Sequence, residues 1–303
     1  MIHVVGNATL DTLSRLERFP QPGETVVARG ADEDLGGKGA NQAIVVARCG
    51  RSVRLRAAFG GDPPGERIRR ALAEEGVGDG LAIWPGPTDR CVVYVDSEGE
   101  NTIVSLIEAA RAFDPVGDMR GANDLAPGDW LLMQGNLRPE FTRACLSLAR
   151  EKGACTALNP SPTYESTEYD WRQVDLAIVN RVEAVALGGA SDPLEAAHAL
   201  CGAGVRVVAL TLGAEGAALI GPDGVFEAPA PRVDAVDTVG AGDVFCGTLI
   251  AARAAGRDWR EALSVAVAAA SVSVTRRGVL ASFPTRGEMA ALFAKPGLEE
   301  HRT

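Results

Sequence analysis

The string Asp237-Thr-Val-Gly-Ala-Gly-Asp-Val-Phe245 combines residue types that can move a phosphate. Two aspartates flank a Gly-Ala-Gly turn, and an apolar small-residue run, Val244 to Ala255, follows at once. That run predicts a buried helix with Gly240, Ala241, Gly242 and Asp243 at its N-terminus. A helix start offers unpaired N–H donors at the positive end of its dipole, which together hold an anion such as phosphate. Glycines let the backbone approach that anion closely. A carboxylate beside it is repulsive unless it has work there, and taking a proton from a hydroxyl that attacks the phosphate is such work. An N-cap aspartate is the plainer alternative for a lone Gly-Asp; the nine-residue string favours the base.

A second glycine cluster, Leu35-Gly-Gly-Lys-Gly-Ala-Asn-Gln-Ala43, lacks the spacing and the Ser/Thr of a P-loop. It opens a helix at Ala40. Gly36, Gly37 and Gly39 expose main-chain donors, and Lys38 and Asn41 add side-chain donors suited to a polyhydroxyl ligand. A tightly packed helix start explains the glycines equally well. Asn180-Arg-Val-Glu183 follows an apolar strand, at the end where α/β sheets bind ligands. The i, i+3 pair reads either as a helix cap or as two groups orienting water on Mg²⁺. Thr211-Leu-Gly-Ala-Glu-Gly216 suits a loop under nucleotide phosphates or an ordinary turn.

The elements that must position these groups alternate between short apolar runs and helical patterns. This is the rhythm of a mainly parallel sheet covered on both faces. Strands are predicted at Ile2–Val5, Val53–Ala58, Trp130–Met133, Cys155–Leu158, Leu176–Val179 and Val205–Thr211. Helices are predicted at Ala40–Cys49, Pro64–Glu75, Pro139–Lys152, Pro193–Ala203, Ala241–Ala255, Trp259–Thr275 and Thr285–Ala294. A hairpin spans Ala217–Ile220 and Val225–Ala228. Glu24–Arg29 and the hairpin Cys91–Asp96/Asn101–Leu106 break the alternation and predict a small protruding sheet, a flap that excludes water over a site. Leu298–Thr303 reads as a frayed tail.

Composition narrows the function classes. The 303 residues, 46% hydrophobic, allow one large α/β domain. A net charge of −10 argues against a general nucleic-acid surface. Six scattered cysteines without a CxxC read as buried apolar groups of a reducing, cytoplasmic setting. Three histidines make a His-based zinc site or triad implausible. The apolar stretch Ala262–Val274 is too short to span a membrane.

These pieces, in this order, resemble the PfkB carbohydrate kinase family, its ribokinases most closely, from about Val4 to Pro284. Smaller matches are Pro20-Gln-Pro-Gly-Glu-Thr25, Gly99-Glu-Asn101, Leu131-Leu-Met-Gln134 and Asn159-Pro-Ser-Pro162. The resemblance implies a single three-layer α/β/α Rossmann-like domain over residues 1–303. Lid strands would be inserted at about 11–36 and 86–110 and would often pair two subunits into a homodimer. It implies an ATP-dependent kinase acting on a sugar hydroxymethyl group. Asp243 would be the base, and the amides of Gly240, Ala241 and Gly242 would hold the γ-phosphoryl group. Thr9, Asp11, Gly37, Lys38, Gly39, Asn41, Arg111 and Asn136 would line the sugar. Asn180, Thr211, Gly213, Gly216, Gly242 and Val267 would line ATP, with Glu183 supporting Mg²⁺ through water. Asp237, Val239, Ser273, Arg276, Gly278 and Ser282 would hold a monovalent cation, K⁺, several of them through backbone carbonyls.

Departures from ribokinases fall on the sugar side. Thr9 stands where they have Asn, Asn136 where they have Glu, and Ala109-Ala-Arg111 where they have Gly-Ala-Asn. Arg90, Arg111 and Arg138 near this edge would suit a carboxylate or phosphate on the substrate if they face it. A sugar acid, a sugar phosphate or a nucleoside therefore remain alternative acceptors. A non-catalytic sugar or nucleotide sensor is the alternative from another class.

Overall fold

The computed structural model describes residues 1–78, 80–98, 101–163 and 169–294. A nine-stranded sheet runs through it in the order β13-β12-β11-β10-β9-β8-β1-β4-β5. Its strands are β1 (Ile2–Val5), β4 (Val53–Gly60), β5 (Leu81–Trp84), β8 (Trp130–Gln134), β9 (Cys155–Asn159), β10 (Leu176–Asn180), β11 (Val207–Thr211), β12 (Ala217–Gly221) and β13 (Gly224–Ala228). All pairs from β5 through β11 are parallel; β12 and β13 close one edge as the predicted antiparallel hairpin.

Consecutive strand residues feed opposite cores. Val4, Leu132 and Ile178 lie in one apolar cluster, while Val5, Leu131, Met133, Ala177 and Val179 lie in the other. A strand buried on both faces must read as a continuous apolar run, as these do. One face is covered by α1 (Lys38–Arg48), α2 (Pro63–Glu74), α8 (Ala241–Ala254), α9 (Trp259–Ser273) and α10 (Arg286–Ala294). The other is covered by α3 (Glu108–Ala112), α4 (Pro115–Ala122), α5 (Pro139–Glu151), α6 (Arg181–Gly188) and α7 (Pro193–Gly202). Strand order reverses at β1 and β8, and ligands bind beyond the carboxyl ends of strands at such a point.

The second sheet has four strands, β3-β2-β6-β7, built from β2 (Thr9–Arg15), β3 (Gly30–Gly36), β6 (Arg90–Val95) and β7 (Asn101–Leu106). The expectation for Glu24–Arg29 is corrected here. That segment is irregular, and Val27 is 87% exposed. The lid strand lies instead at Gly30–Gly36, pairing Thr9 with Gly36 through Arg15 with Gly30. Register decides this, because the chain leaves the main sheet after β1 and enters the lid at Thr9, and β3 must bring it back at Gly36 to start α1. The strand β5 and the short helices α3 and α4 were also not foreseen. The Gly99-Glu100 turn and the Leu298–Thr303 tail lie outside the described residues. No described helix is long and apolar enough to cross a membrane.

Candidate active site

Gly240 is the N-cap of α8, in the left-handed region at φ 79°. The position requires glycine twice over, because a Cβ there would also lie 2.7 Å from the Phe283 ring. The amide of Ala241 donates to the Thr238 carbonyl at a long 3.3 Å, and that of Asp243 to Gly240 at 3.0 Å. Those of Gly240 and Gly242 have no acceptor among the described residues. Two main-chain donors at a helix start are thus open to an anion.

Asp243, in the first turn of α8, is 5% exposed and is held from α1. Asn41 Nδ2 donates to its Oδ2 and Gln42 Nε2 to its Oδ1, each at 2.9 Å. Gln42 is fixed in turn: its Oε1 accepts from Gln134 Nε2 at 2.8 Å, and its Nε2 also lies 3.3 Å from Asn159 Oδ1. Asn159 donates to the Ile178 carbonyl at 2.9 Å. Three strands therefore brace the acid: β8, β9 and β10. Lys38 opens α1; burial lowers its ammonium pKa, but the Asp243 carboxylate, with Cys246 and Glu183, raises it on balance. Lys38 stays a cation beside the acid.

The start of α1 presses against the turn after β1. At Gly37, φ 91°, a Cβ would meet Ala8 Cα and the Asn7 carbonyl at 2.8 Å. Gly39 and Ala40 donate to Asn7, at 3.4 Å to its side chain and 3.0 Å to its carbonyl. This places Lys38, Asn41 and Thr9 around one turn. Thr9 Oγ1 donates to Asp11 Oδ1 at 2.6 Å. Burial pushes the Asp11 carboxyl up, Thr9 and Cys91 oppose this, and the neighbouring Asp34 adds to it. Asn136, just beyond β8, is 9% exposed, and its Oδ1 has no donor; the same is true of Asn41 Oδ1. Asn41 cannot be turned over to satisfy that oxygen, because its Nδ2 serves a carboxylate. A buried acceptor left without a donor costs about 1–3 kcal/mol. Such a pair is suited to ligand hydroxyls. Arg111 ends α3, whose start is capped by Asp89 accepting from Ala109 and Ala110 at 2.8 Å. Arg138 is half exposed and lies 3.9 Å from Glu140.

On the nucleotide side, Asn180 and Thr211 are register partners at the ends of β10 and β11. Asn180 and Glu183 form a capping box, each side chain accepting the other's amide at 2.9 Å. The plainer of the two sequence readings thus describes their mutual contacts. One Glu183 oxygen makes no contact within the box. Gly213 and Gly216 shape the turn after Thr211, at φ 64° and 103°. Val267 is 5% exposed in α9.

Five of the six predicted cation residues hydrogen-bond to one another, in two groups: Asp237 with Val239 and Gly278, and Ser273 with Arg276. Asp237 accepts from Val239 at 3.0 Å and from Gly278 at 3.1 Å, and its own amide donates to Val274 at 3.2 Å. Arg276 donates its amide to Ser273 at 3.1 Å, but its guanidinium is committed to Glu288. The hydroxyls of Ser273 and Ser282 serve nearby carbonyls, Ala270 at 2.8 Å and Val279 at 2.7 Å. Main-chain carbonyls and the spare lone pairs of the Asp237 carboxylate remain for an ion. Among the described residues no group of three or more His, Cys, Asp or Glu could hold a metal.

Sequence reading missed Gln42, Gln134 and Asn7 as site residues. The signal was a fully buried amide in an otherwise apolar strand, Gln134, which demands a polar partner. Gln42 follows Asn41 directly, and i, i+1 residues do not ordinarily share a helix face. In the first turn, both neighbours can still reach one carboxylate.

Residues 1–286 match the pfkB family of carbohydrate kinases. The ribokinase of Haemophilus influenzae is 29% identical over 292 residues, covering 94% of this chain and 95% of that protein. The crystal structure of ribokinase from Thermotoga maritima superposes with a TM-score of 0.89 at 30% identity, over 97% of this chain and 99% of that one. Arabidopsis thaliana ribokinase complexed with ribose and ATP gives 0.84 at 27% identity, over 97% and 99%. With such coverage at both levels, this chain belongs to the pfkB family of carbohydrate kinases, phosphotransferases with an alcohol group as acceptor.

Proposed function

We propose that this enzyme transfers the γ-phosphate of ATP to a hydroxymethyl group of a neutral, ribose-like sugar, with Asp243 as the base. The observation that carries the reading is the placement of Asp243 next to two main-chain amides with no acceptor of their own. Asn41 and Gln42 hold the carboxylate from one side and leave its remaining lone pairs for the attacking hydroxyl. The amides of Gly240 and Gly242, with that of Ala241, take the charge that gathers on the transferring group, and Lys38 adds a fixed cation. Asn180, Thr211 and the Gly213–Gly216 turn support the nucleotide.

Glu183 has a carboxylate oxygen left over from its cap, which suits Mg²⁺ held through its own waters. When bound, Mg²⁺ would neutralise phosphate charge. K⁺ would sit on main-chain oxygens around Asp237, Val239, Ser273, Arg276, Gly278 and Ser282. The lid folds over the sugar and keeps water from competing as acceptor. Its edge strand β7 exposes Ile103, Val104 and Leu106 by half or more, a surface for a second copy of the chain.

The neutral sugar is preferred over an acid or a phosphate because the buried Oδ1 atoms of Asn41 and Asn136 call for donors. The test is a coupled ADP-release assay over neutral sugars, sugar acids, sugar phosphates and nucleosides. Turnover confined to neutral sugars is expected. Sugar binding without ADP release would replace the kinase reading with a sensor. Turnover only with anionic acceptors would move the specificity to Arg90, Arg111 or Arg138.

A further inference from the structure

The segment linking α9 to α10 touches both the lid and the Gly240 turn. Its body side is clamped by Arg48, at the end of α1. That guanidinium donates to the carbonyls of Leu280 at 3.3 Å, Phe283 at 2.9 Å and Pro284 at 3.5 Å. It is held in place by Glu75. On its inner side the segment covers the glycine that starts α8. A Cβ on Gly240 would stand 2.7 Å from Phe283 Cε1 and 3.6 Å from Val279 Cγ1. Val279 and Phe283 therefore pack closely over Gly240.

The lid reaches the same segment through Asp34 of β3. Its Oδ2 accepts from the amides of Val279 and Leu280, each at 3.3 Å, while Oδ1 accepts from Leu35 at 2.8 Å. The neighbouring acids behave differently. Asp32 pairs with Arg15, and Glu33 with Arg67. Among the described residues no cation pairs with Asp34; its carboxylate goes to main-chain donors of the body. Asp34 is also the cross-strand partner of Asp11, so the two project from the same face of the lid.

We propose that Asp34 is a positioning residue: it couples a sugar held at Asp11 to the seating of the Gly240 turn that receives the terminal phosphate of the nucleotide. The inference rests on the kinase reading above. A sugar that fixes Asp11 fixes the β2–β3 pair, and with it the Asp34 carboxylate. Asp34 then holds the Val279 and Leu280 amides, and Val279 with Phe283 holds Gly240. The links run through strand pairing, two hydrogen bonds and close packing against the glycine, so the two sites share one contiguous path. Coupling of this kind is reciprocal: the sugar tightens the nucleotide by the factor by which the nucleotide tightens the sugar.

The test measures binding of AMP-PNP and of ADP, with Mg²⁺, in the absence and presence of the sugar that the panel shows to be turned over. In the unmutated enzyme the sugar should tighten AMP-PNP about tenfold, within the range of typical coupled sites, and ADP clearly less, because ADP lacks the terminal phosphate. In Asp34→Ala that enhancement should vanish for both, with sugar-free affinities little changed. Asp34→Ser is too short to reach the amides and should behave as Asp34→Ala does. Asp34→Asn keeps an acceptor oxygen and should restore most of the effect. Equal tightening in the unmutated enzyme and in Asp34→Ala or Asp34→Ser overturns the proposal. No tightening in the unmutated enzyme, or a loss that Asp34→Asn fails to restore, does the same. Failure of the unmutated enzyme to phosphorylate any sugar overturns the kinase reading instead.

Discussion

The two ends of the central sheet each bury a polar network, and the networks are built on opposite principles. At the carboxyl end, Asp243 is held by the neutral amides of Asn41 and Gln42, and the surroundings keep unmet capacity: Asn41 Oδ1, Asn136 Oδ1 and two main-chain amides. At the amino end, charge is matched with charge. The fully buried Arg56 pairs with Asp118 at 2.6 Å and with both oxygens of Asp124 at 2.9 and 3.0 Å. Its Nη1 lies 3.1 Å from His3 Nδ1, and Met1 pairs with Asp129. One end is arranged to accept a ligand; the other pairs its charges internally and, among the described residues, leaves only His3 Nε2 without a hydrogen bond, 3.5 Å from Asp129. Unsatisfied buried groups cost stability, and at the carboxyl end three amide oxygens, those of Asn41, Gln134 and Asn136, share that cost in one region.

The comparison predicts a clean division of mutational effects, and the largest belongs to the base. Asp243→Asn should lower kcat by about 10²–10⁴-fold, the range of a general base, while ATP binding and thermal stability stay close to those of the unmutated enzyme. Near-normal turnover would dismiss Asp243 from its role. At the other end, Arg56→Met should leave kcat unchanged but cost roughly 1.5–3 kcal/mol in urea unfolding, the worth of hydrogen bonds to charged groups, because Asp124 keeps Arg54 and the half-exposed Asp118 returns to water. A rate loss as large as the stability loss would show that the two ends are not separable.

Gln42 is the finer probe of the same division. It touches no predicted ligand, yet it fixes one oxygen of the base and draws on three strands. Gln42→Leu keeps the volume and removes the hydrogen bonds. A misplacement of the order of 1 Å at a reacting group costs about 10²-fold, so kcat should fall by that order with little change in the KM for ATP. A change confined to KM would place Gln42 in substrate binding rather than in support of Asp243.

Gln42 also shows where the sequence could be read and where it could not. The parallel core was legible because two-sided burial forces apolar runs such as Trp-Leu-Leu-Met and Leu-Ala-Ile-Val. The Gly240 turn was legible because an open helix start needs glycines. Lid strand β3 was not, because its sequence, Gly-Ala-Asp-Glu-Asp-Leu-Gly, is acidic and low in β-propensity. Its pairing with β2 is set by where the chain must re-enter the body, a tertiary constraint. The apolar Val26-Val27 pair nearby drew the expectation to the wrong segment. The Gln42–Gln134–Asn159 relay was hidden for a related reason. Its members are 25 to 117 positions apart, and only the sheet order brings them together.

The smallest effect concerns pH, and it separates the two ends without any mutation. Arg56 can only donate, so His3 Nδ1 must accept; His3 is then neutral, with its proton on Nε2 facing Asp129 at 3.5 Å. Burial lowers the His3 pKa below its ordinary value, and Arg56 adds to this against the opposing pull of Asp124 and Asp129. The unfolded chain therefore takes up a proton first as pH falls below the ordinary histidine value, about 6.5, and folding stability declines from there until the folded His3 also titrates. A second decline follows at lower pH. For Asp124, burial would raise the carboxyl, but Arg56 brings it below the usual range; for Asp129, the N-terminal amine has the same effect. Stability held by depressed carboxylates is present above their unfolded values, near 4, and is lost as pH falls through the folded ones. Urea unfolding from pH 7.5 downward should thus weaken in two stages. His3→Gln, which cannot take up a proton, should remove the upper stage and leave the lower. If the upper stage survives in His3→Gln, the titrating group lies elsewhere, and the amino end is not the charge-matched cluster that its geometry describes.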